Sequence, residues 1–191
     1  MLTRCFVGIE LAPQITAALI AEQNNLKNQK LLNANWCKDV TLHVTLRFMG
    51  ELNPDELSLL QTKLKTVQFQ SFPMEIGPIA YFKGDQRCPI RSINASVGGA
   101  KDLQSLVDSA LPEFKPEKRH VMNMKKKDFK HHITLCRVKG LLGSSSDCHD
   151  AITNSSFSTV VQDVSSFVLF KSVLSKQGPT YSILERYSCT M

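Results

Sequence analysis

No stretch of this 191-residue chain approaches the roughly 20 consecutive apolar residues of a membrane-spanning helix. The opening MLTRCFVGIELAP carries an apolar run too short for the core of a secretion signal and interrupted by Glu10, so neither export nor a membrane anchor is expected. The six cysteines, at 5, 37, 88, 136, 148 and 189, include no CxxC pair and no Cys/His spacing that builds a zinc site. They read as free thiols of a reducing cytosol, which gives a cytoplasmic expectation. Tryptophan occurs once, at Trp36, where packing is its expected role. P-loop and dinucleotide fingerprints are absent too, so Gly98-Gly99 is read as turn chemistry ahead of a helix.

What is present is ordinary in bulk and unusual in two places. Apolar content of 42% and charged content of 21% suit a globular chain of this length with ample material for a core. Lys and Arg exceed Asp and Glu by 23 to 17, giving a net +6 that favours an anionic partner such as nucleic acid. The excess is local: from Lys115 to Lys139 nine basic residues face only Glu117 and Asp128. This stretch, with its Lys125–Lys127 run, leads into Lys130 and the second of two matching motifs, so Lys130 is expected to border a site.

The motifs are HVTL at His43–Leu46 and HITL at His132–Leu135. In a strand, residues two apart share a face, so each copy projects a histidine and a threonine together. Five histidines and eleven threonines predict roughly 0.3 such pairs by accident, and fewer within apolar strands. A single histidine in an apolar strand is more often a hydrogen-bonded core residue; the duplication argues for a shared task. Near neutral pH one imidazole can act as base while another acts as acid. Paired, they suit in-line displacement at phosphorus without a metal: His43 and His132 handle the protons, and the hydroxyls of Thr45 and Thr134 hold non-bridging oxygens. Strand parity puts Arg47 on the same face as His43 and Thr45.

Periodicity and turn signals give a strand at Cys5–Leu11 and a helix at Pro13–Lys27. A loop follows over Asn24–Asn33, then the first motif strand at 42–49. Asn53-Pro54-Asp55-Glu56 starts a helix running to about Val67. Strands are expected at Phe72–Lys83 and Pro89–Val97, and a helix at Lys101–Leu111. The second motif strand, 132–138, precedes a turn at Gly140–Ser146 and a short helix near Cys148–Asn154. One or two strands over Phe157–Lys171, a hairpin turn at 176–179 and a strand at Thr180–Tyr187 close the chain. Sliding the chain by 89 residues, 132 minus 43, superposes strand, helix, motif strand, helix and strand on a second set of the same order.

Three stretches, RCFVGIELAP, NWCKDVTLHVTLRFMGEL, and FKHHITLCRVKG with LFKSVLSKQGPTYSILERY, resemble the 2'-5' RNA ligase and RNA 2',3'-cyclic phosphodiesterase family of the two-histidine phosphoesterase superfamily. The resemblance spans essentially the full length. It implies a pseudo-symmetric bilobal α+β fold, with two antiparallel sheets flanked by helices around a central cleft. The lobes would interleave in one domain over 1–191. It also implies metal- and cofactor-independent opening of terminal 2',3'-cyclic phosphates on RNA or oligonucleotides to 2'-phosphomonoesters; nothing in the sequence requires more than a monomer. His43 would protonate the leaving 3'-oxygen, His132 would activate water, and Thr45 and Thr134 would bind phosphate. Arg137 occupies the place of an arginine often found after the second motif; regular alternation turns it away from the cleft, and a β-bulge would bring it back. His131 stands where many members have proline, although alternation keeps His132 in phase with Thr134. Joining or cleaving 2'-5' linkages, and a non-catalytic RNA- or nucleotide-binding module, remain the alternatives.

Overall fold

The computed structural model describes residues 1–114, 130–176 and 178–190. The Lys125–Lys127 run lies outside the described residues. Two antiparallel sheets form the frame. The first has the order β3-β1-β8-β9 and is built from β1 (Thr3–Glu10), β3 (His43–Leu52), β8 (Ser166–Ser175) and β9 (Gly178–Ser188). The second, β2-β6-β5-β4-β7, uses β2 (Leu32–Trp36), β4 (Phe72–Lys83), β5 (Ile90–Gly98), β6 (His132–Leu141) and β7 (Val160–Val164). In each, the motif strand pairs with a strand that is followed in sequence by a helix, so β3-β1-β8 and β6-β5-β4 are laid out alike.

Helices α1 (Pro13–Asn28), α2 (Pro54–Leu64), α3 (Lys101–Ala110) and α4 (Ser145–Thr153) cover the outer faces. The chain crosses between the halves: α1 follows a strand of the first sheet yet sends Gln23 to the second, while α3 follows β5 and packs on β3. One continuous apolar cluster, from Val7 and Ile9 to Ile93, Ile133 and Leu135, is shared by both sheets. No helix among the described residues is long and apolar enough to cross a membrane, and all six cysteines are free thiols.

Local signals explain most boundaries. The expected start of α2 is a full capping box: Asn53 Oδ1 accepts from the Glu56 backbone at 2.9 Å, and Glu56 Oε2 accepts from the Asn53 backbone at 2.8 Å. The Gly98-Gly99 turn is a turn indeed, with Gly99 at φ 89° and its missing Cβ 2.8 Å from the Pro73 carbonyl. The expected loop over Asn24–Asn33 is different in fact: α1 continues to Asn28 and β2 begins at Leu32. LNANW has little strand propensity and forms a strand because β6 offers it a partner, from Leu32 opposite Leu141 to Trp36 opposite Cys136.

Candidate active site

The two motif strands begin with their histidines, and each imidazole is anchored in the same way. His43 Nδ1 lies 2.8 Å from the Thr41 carbonyl, and His132 Nδ1 lies 2.8 Å from the Lys130 carbonyl. A carbonyl cannot donate, so both Nδ1 atoms carry the proton and both Nε2 atoms are left for chemistry. Lys130 thus serves through its main chain, while its side chain is exposed.

The surroundings differ. His43 is half-buried against aromatic rings, with centroids 4.7 Å from Phe6, 5.2 Å from Tyr181 and 5.9 Å from Phe170. Burial holds its pKa down at about 4; the bond to Thr41 works the other way, and the nearby His132 adds to the lowering. Thr45 Oγ1 lies 3.0 Å from His43 Nε2 and donates to it in the neutral ring. His132 meets one ring edge-on, Phe82 at 4.7 Å. Its pKa is also lowered, first by burial and further by the Arg137 charge, against the bond to Lys130. Thr134 stands half-buried beside it, across from Asn94. The free protein therefore holds both imidazoles neutral at neutral pH, where alternation of charge between them had been expected.

Both motif strands carry a β-bulge at the same place. Thr45 pairs with Gly8 and Arg47 with Val7, leaving Leu46 as an extra residue; Thr134 pairs with Asn94 and Cys136 with Ile93, leaving Leu135 extra. Beyond the bulge the faces exchange. Arg137 aligns with Ser92, two and four residues from Asn94 and Ser96, which oppose Thr134 and His132. Its guanidinium therefore shares their face, and its charge reaches His132 and Tyr181.

The same bulge removes Arg47 from the site predicted by parity. Its guanidinium is committed to the C-terminal end of α3, bonding Asp108 Oδ1 at 2.9 Å and the carbonyls of Asp108, Leu111 and Phe114. Phe48 takes the place opposite Phe6 instead, with ring centroids 5.9 Å apart. A glutamine holds each bulge. Gln104 of α3 donates to the Leu46 carbonyl at 3.1 Å, and Gln23 of α1 donates to the Leu135 carbonyl at 3.0 Å and to the Cys37 carbonyl at 3.1 Å.

Sequence reasoning passed over these amides and the aromatic wall of Phe6, Phe48, Phe170 and Tyr181. Gln23 left a trace, since it falls within the buried stripe Ile15, Leu19, Leu26, where a polar residue calls for a partner. His131 is buried on the face opposite His132, which leaves His132 as the imidazole on the face of Thr134. Among the described residues no group of three or more His, Cys, Asp or Glu could hold a metal ion.

This arrangement has counterparts. A family model of LigT-like phosphoesterases matches residues 9–90. That match takes in the first motif strand, β3. An RNA 2',3'-cyclic phosphodiesterase of Aeropyrum pernix is 28% identical over 158 residues, covering 77% of this chain and 81% of that protein. One of Thermotoga maritima is 27% identical over 190 residues, covering 97% and 94%. The crystal structure of a Thermus thermophilus protein shares the fold with a TM-score of 0.74 at 23% identity, over 97% of each chain. The likeness to that structure takes in both sheets within one fold.

Proposed function

We infer that this protein is an RNA 2',3'-cyclic phosphodiesterase whose two motif histidines act as general acid and base. The observation that carries this reading is the matched anchoring of both imidazoles through Nδ1, which leaves both Nε2 atoms available for proton transfer, with His132 near enough for its charge to act on His43. The named activity of the Aeropyrum and Thermotoga relatives supports the substrate.

In the proposed reaction a water oxygen attacks phosphorus while His132 Nε2 takes its proton. The P–O3' bond breaks, its electron pair goes to O3', and the proton on His43 Nε2 goes to that oxygen, leaving a 2'-phosphomonoester and a 3'-hydroxyl. The free site favours these roles. His132 Nε2 is not covered by Thr134, and burial, aided by the Arg137 charge, favours the neutral ring, as a base requires. His43 Nε2 is covered by Thr45. When an anionic phosphodiester arrives, the Thr45 hydroxyl turns to a non-bridging oxygen, and the negative charge raises the His43 pKa so that it can carry the departing proton. Thr134 supplies the second hydroxyl and Arg137 neutralises charge on the phosphoryl oxygens.

The test is to incubate the protein with 2',3'-cyclic AMP and a cyclic-ended oligonucleotide and identify the product by phosphorus NMR. A 2'-phosphate is expected; a 3'-phosphate, or tight binding with no product, overturns the reading.

A further inference from the structure

The two motif threonines stand at matching places just ahead of a bulge, each directly opposite one residue of the neighbouring strand: Thr45 faces Gly8, and Thr134 faces Asn94. Their hydroxyls behave differently. Thr45 Oγ1 lies 3.0 Å from His43 Nε2, whereas His132 is bonded only through Nδ1, to the Lys130 carbonyl, among the described residues. The cross-strand partners differ as well. Gly8 has no side chain to offer and no room for one, since a Cβ there would come within 2.7 Å of the Val44 carbonyl and 3.3 Å of the Phe170 ring. Asn94 shares the face of Thr134, because Ile93, Ala95 and Ile133 point to the core on the other side. It is 2% exposed, and its Nδ2 donates to Ser92, to the carbonyl at 3.3 Å and to the hydroxyl at 3.2 Å. A carbonyl only accepts, so the nitrogen of the amide must lie on that side and the oxygen on the other. That oxygen, Oδ1, is buried and has no hydrogen-bond partner among the described residues. A buried acceptor is costly to leave bare. Of its two directly opposite neighbours, Ala80 on β4 and Thr134 on β6, only Thr134 has a donor in its side chain. Directly opposite side chains start about 5 Å apart at Cβ, within reach of an amide and a hydroxyl.

We propose that Asn94 is a positioning residue that sets the two motif histidines to different tasks, its Oδ1 drawing the Thr134 hydroxyl away from His132 in the free protein. His132 Nε2 is thereby left open to a water, as the base must be. Gly8 offers Thr45 no such partner, so that hydroxyl rests on His43. When a phosphodiester binds, both hydroxyls turn to its non-bridging oxygens. The proposal rests on the phosphodiesterase reading and deepens it: two similar half-sites become base and acid through one difference, asparagine against glycine, beside the threonines.

The test follows the His132 ring by nitrogen-15 NMR across pH in the full-length protein, comparing wild type, Asn94→Ala, Thr134→Val and the double variant, with thermal melts showing each folded. Removing the amide frees the Thr134 hydroxyl to donate to His132 Nε2, which favours the neutral ring. In Asn94→Ala the His132 pKa is therefore expected to fall by about 0.5–1, the worth of one neutral hydrogen bond. In the Thr134→Val background the same substitution is expected to move it far less, since no hydroxyl is left to redirect. The groups electrostatically linked to His132, which are His43 of the first sheet and His131 and Arg137 of its own stretch of chain, are unchanged in all four proteins. Asn94→Leu also removes the acceptor and serves in place of alanine if that variant does not fold. With 2',3'-cyclic AMP, Asn94→Ala lowers kcat/KM about threefold to tenfold as the hydroxyl shields the base. A His132 titration unmoved by Asn94→Ala, or moved equally with and without the Thr134 hydroxyl, overturns the proposal. If the wild type turns over no cyclic phosphate the phosphodiesterase reading fails, and the NMR titrations, which need no turnover, still decide the role of Asn94.

Discussion

At the scale of single residues, the paired imidazoles set the pH behaviour. Replacing either His43 or His132 by alanine is expected to lower kcat/KM about a hundredfold or more, while circular dichroism stays unchanged. In the proposed role of acid His43 must be protonated, so it would govern the alkaline limb. Its pKa of about 4 in the free protein applies to kcat/KM, and the bound phosphodiester raises it. The alkaline limb of kcat is therefore expected at higher pH than that of kcat/KM; coincident limbs would remove His43 from that role. The same group links pH to stability. A folded-state pKa depressed below the ordinary 6.5 means that the unfolded chain binds the proton more readily. The stabilisation is complete above the unfolded value and drains away as pH falls toward 4. Denaturant titrations of His43→Gln should give a flatter decline across that interval.

At the scale of elements, the bulges decide which side chains share a face with the motif histidines. Two arginines follow the motifs, Arg47 by four residues and Arg137 by five. Parity in a regular strand chooses Arg47, and the extra residue in each strand reverses that choice. The motif histidines and threonines were legible because they precede the irregularity and obey simple alternation. Everything after Leu46 and Leu135 depends on a helix from elsewhere in the chain, which local sequence cannot reveal. β2 escaped notice for a similar reason, since its pairing with β6 and not its composition makes it a strand. Arg47 and Arg137 should accordingly separate in experiment. Arg47→Met strips the donors from the end of α3 and is expected to cost about 1–3 kcal/mol of stability, read by urea unfolding, with kcat reduced far less. Arg137→Gln is expected to lower kcat/KM about tenfold or more at unchanged stability. Gln23→Leu, which leaves the Leu135 carbonyl without its amide donor, should impair both.

At the scale of the whole molecule, one apolar cluster spans the two sheets, so neither is expected to melt alone. Trp36 is the only tryptophan and belongs to the second sheet, whereas Arg47 secures a helix on the first. In Arg47→Met, the urea midpoint read by Trp36 fluorescence should shift as far as the midpoint read by circular dichroism. Two separate midpoints would mean that the halves unfold independently. The twofold order of strand, helix and motif strand pointed to two similar halves and the family resemblance implied their antiparallel sheets with helices outside, although the crossing of α1 and α3 was not apparent from any one segment.

That crossing has a consequence for how the chain could be divided. The amide that shapes the strand of His43 arrives only at Gln104, and the one that shapes the strand of His132 arrived long before, at Gln23. A fragment stopping ahead of Lys101 would carry the first motif without its keeper, and the remainder would carry the second in the same condition. Active protein should thus be recoverable from two such pieces only by mixing them, each lending the other the part it lacks.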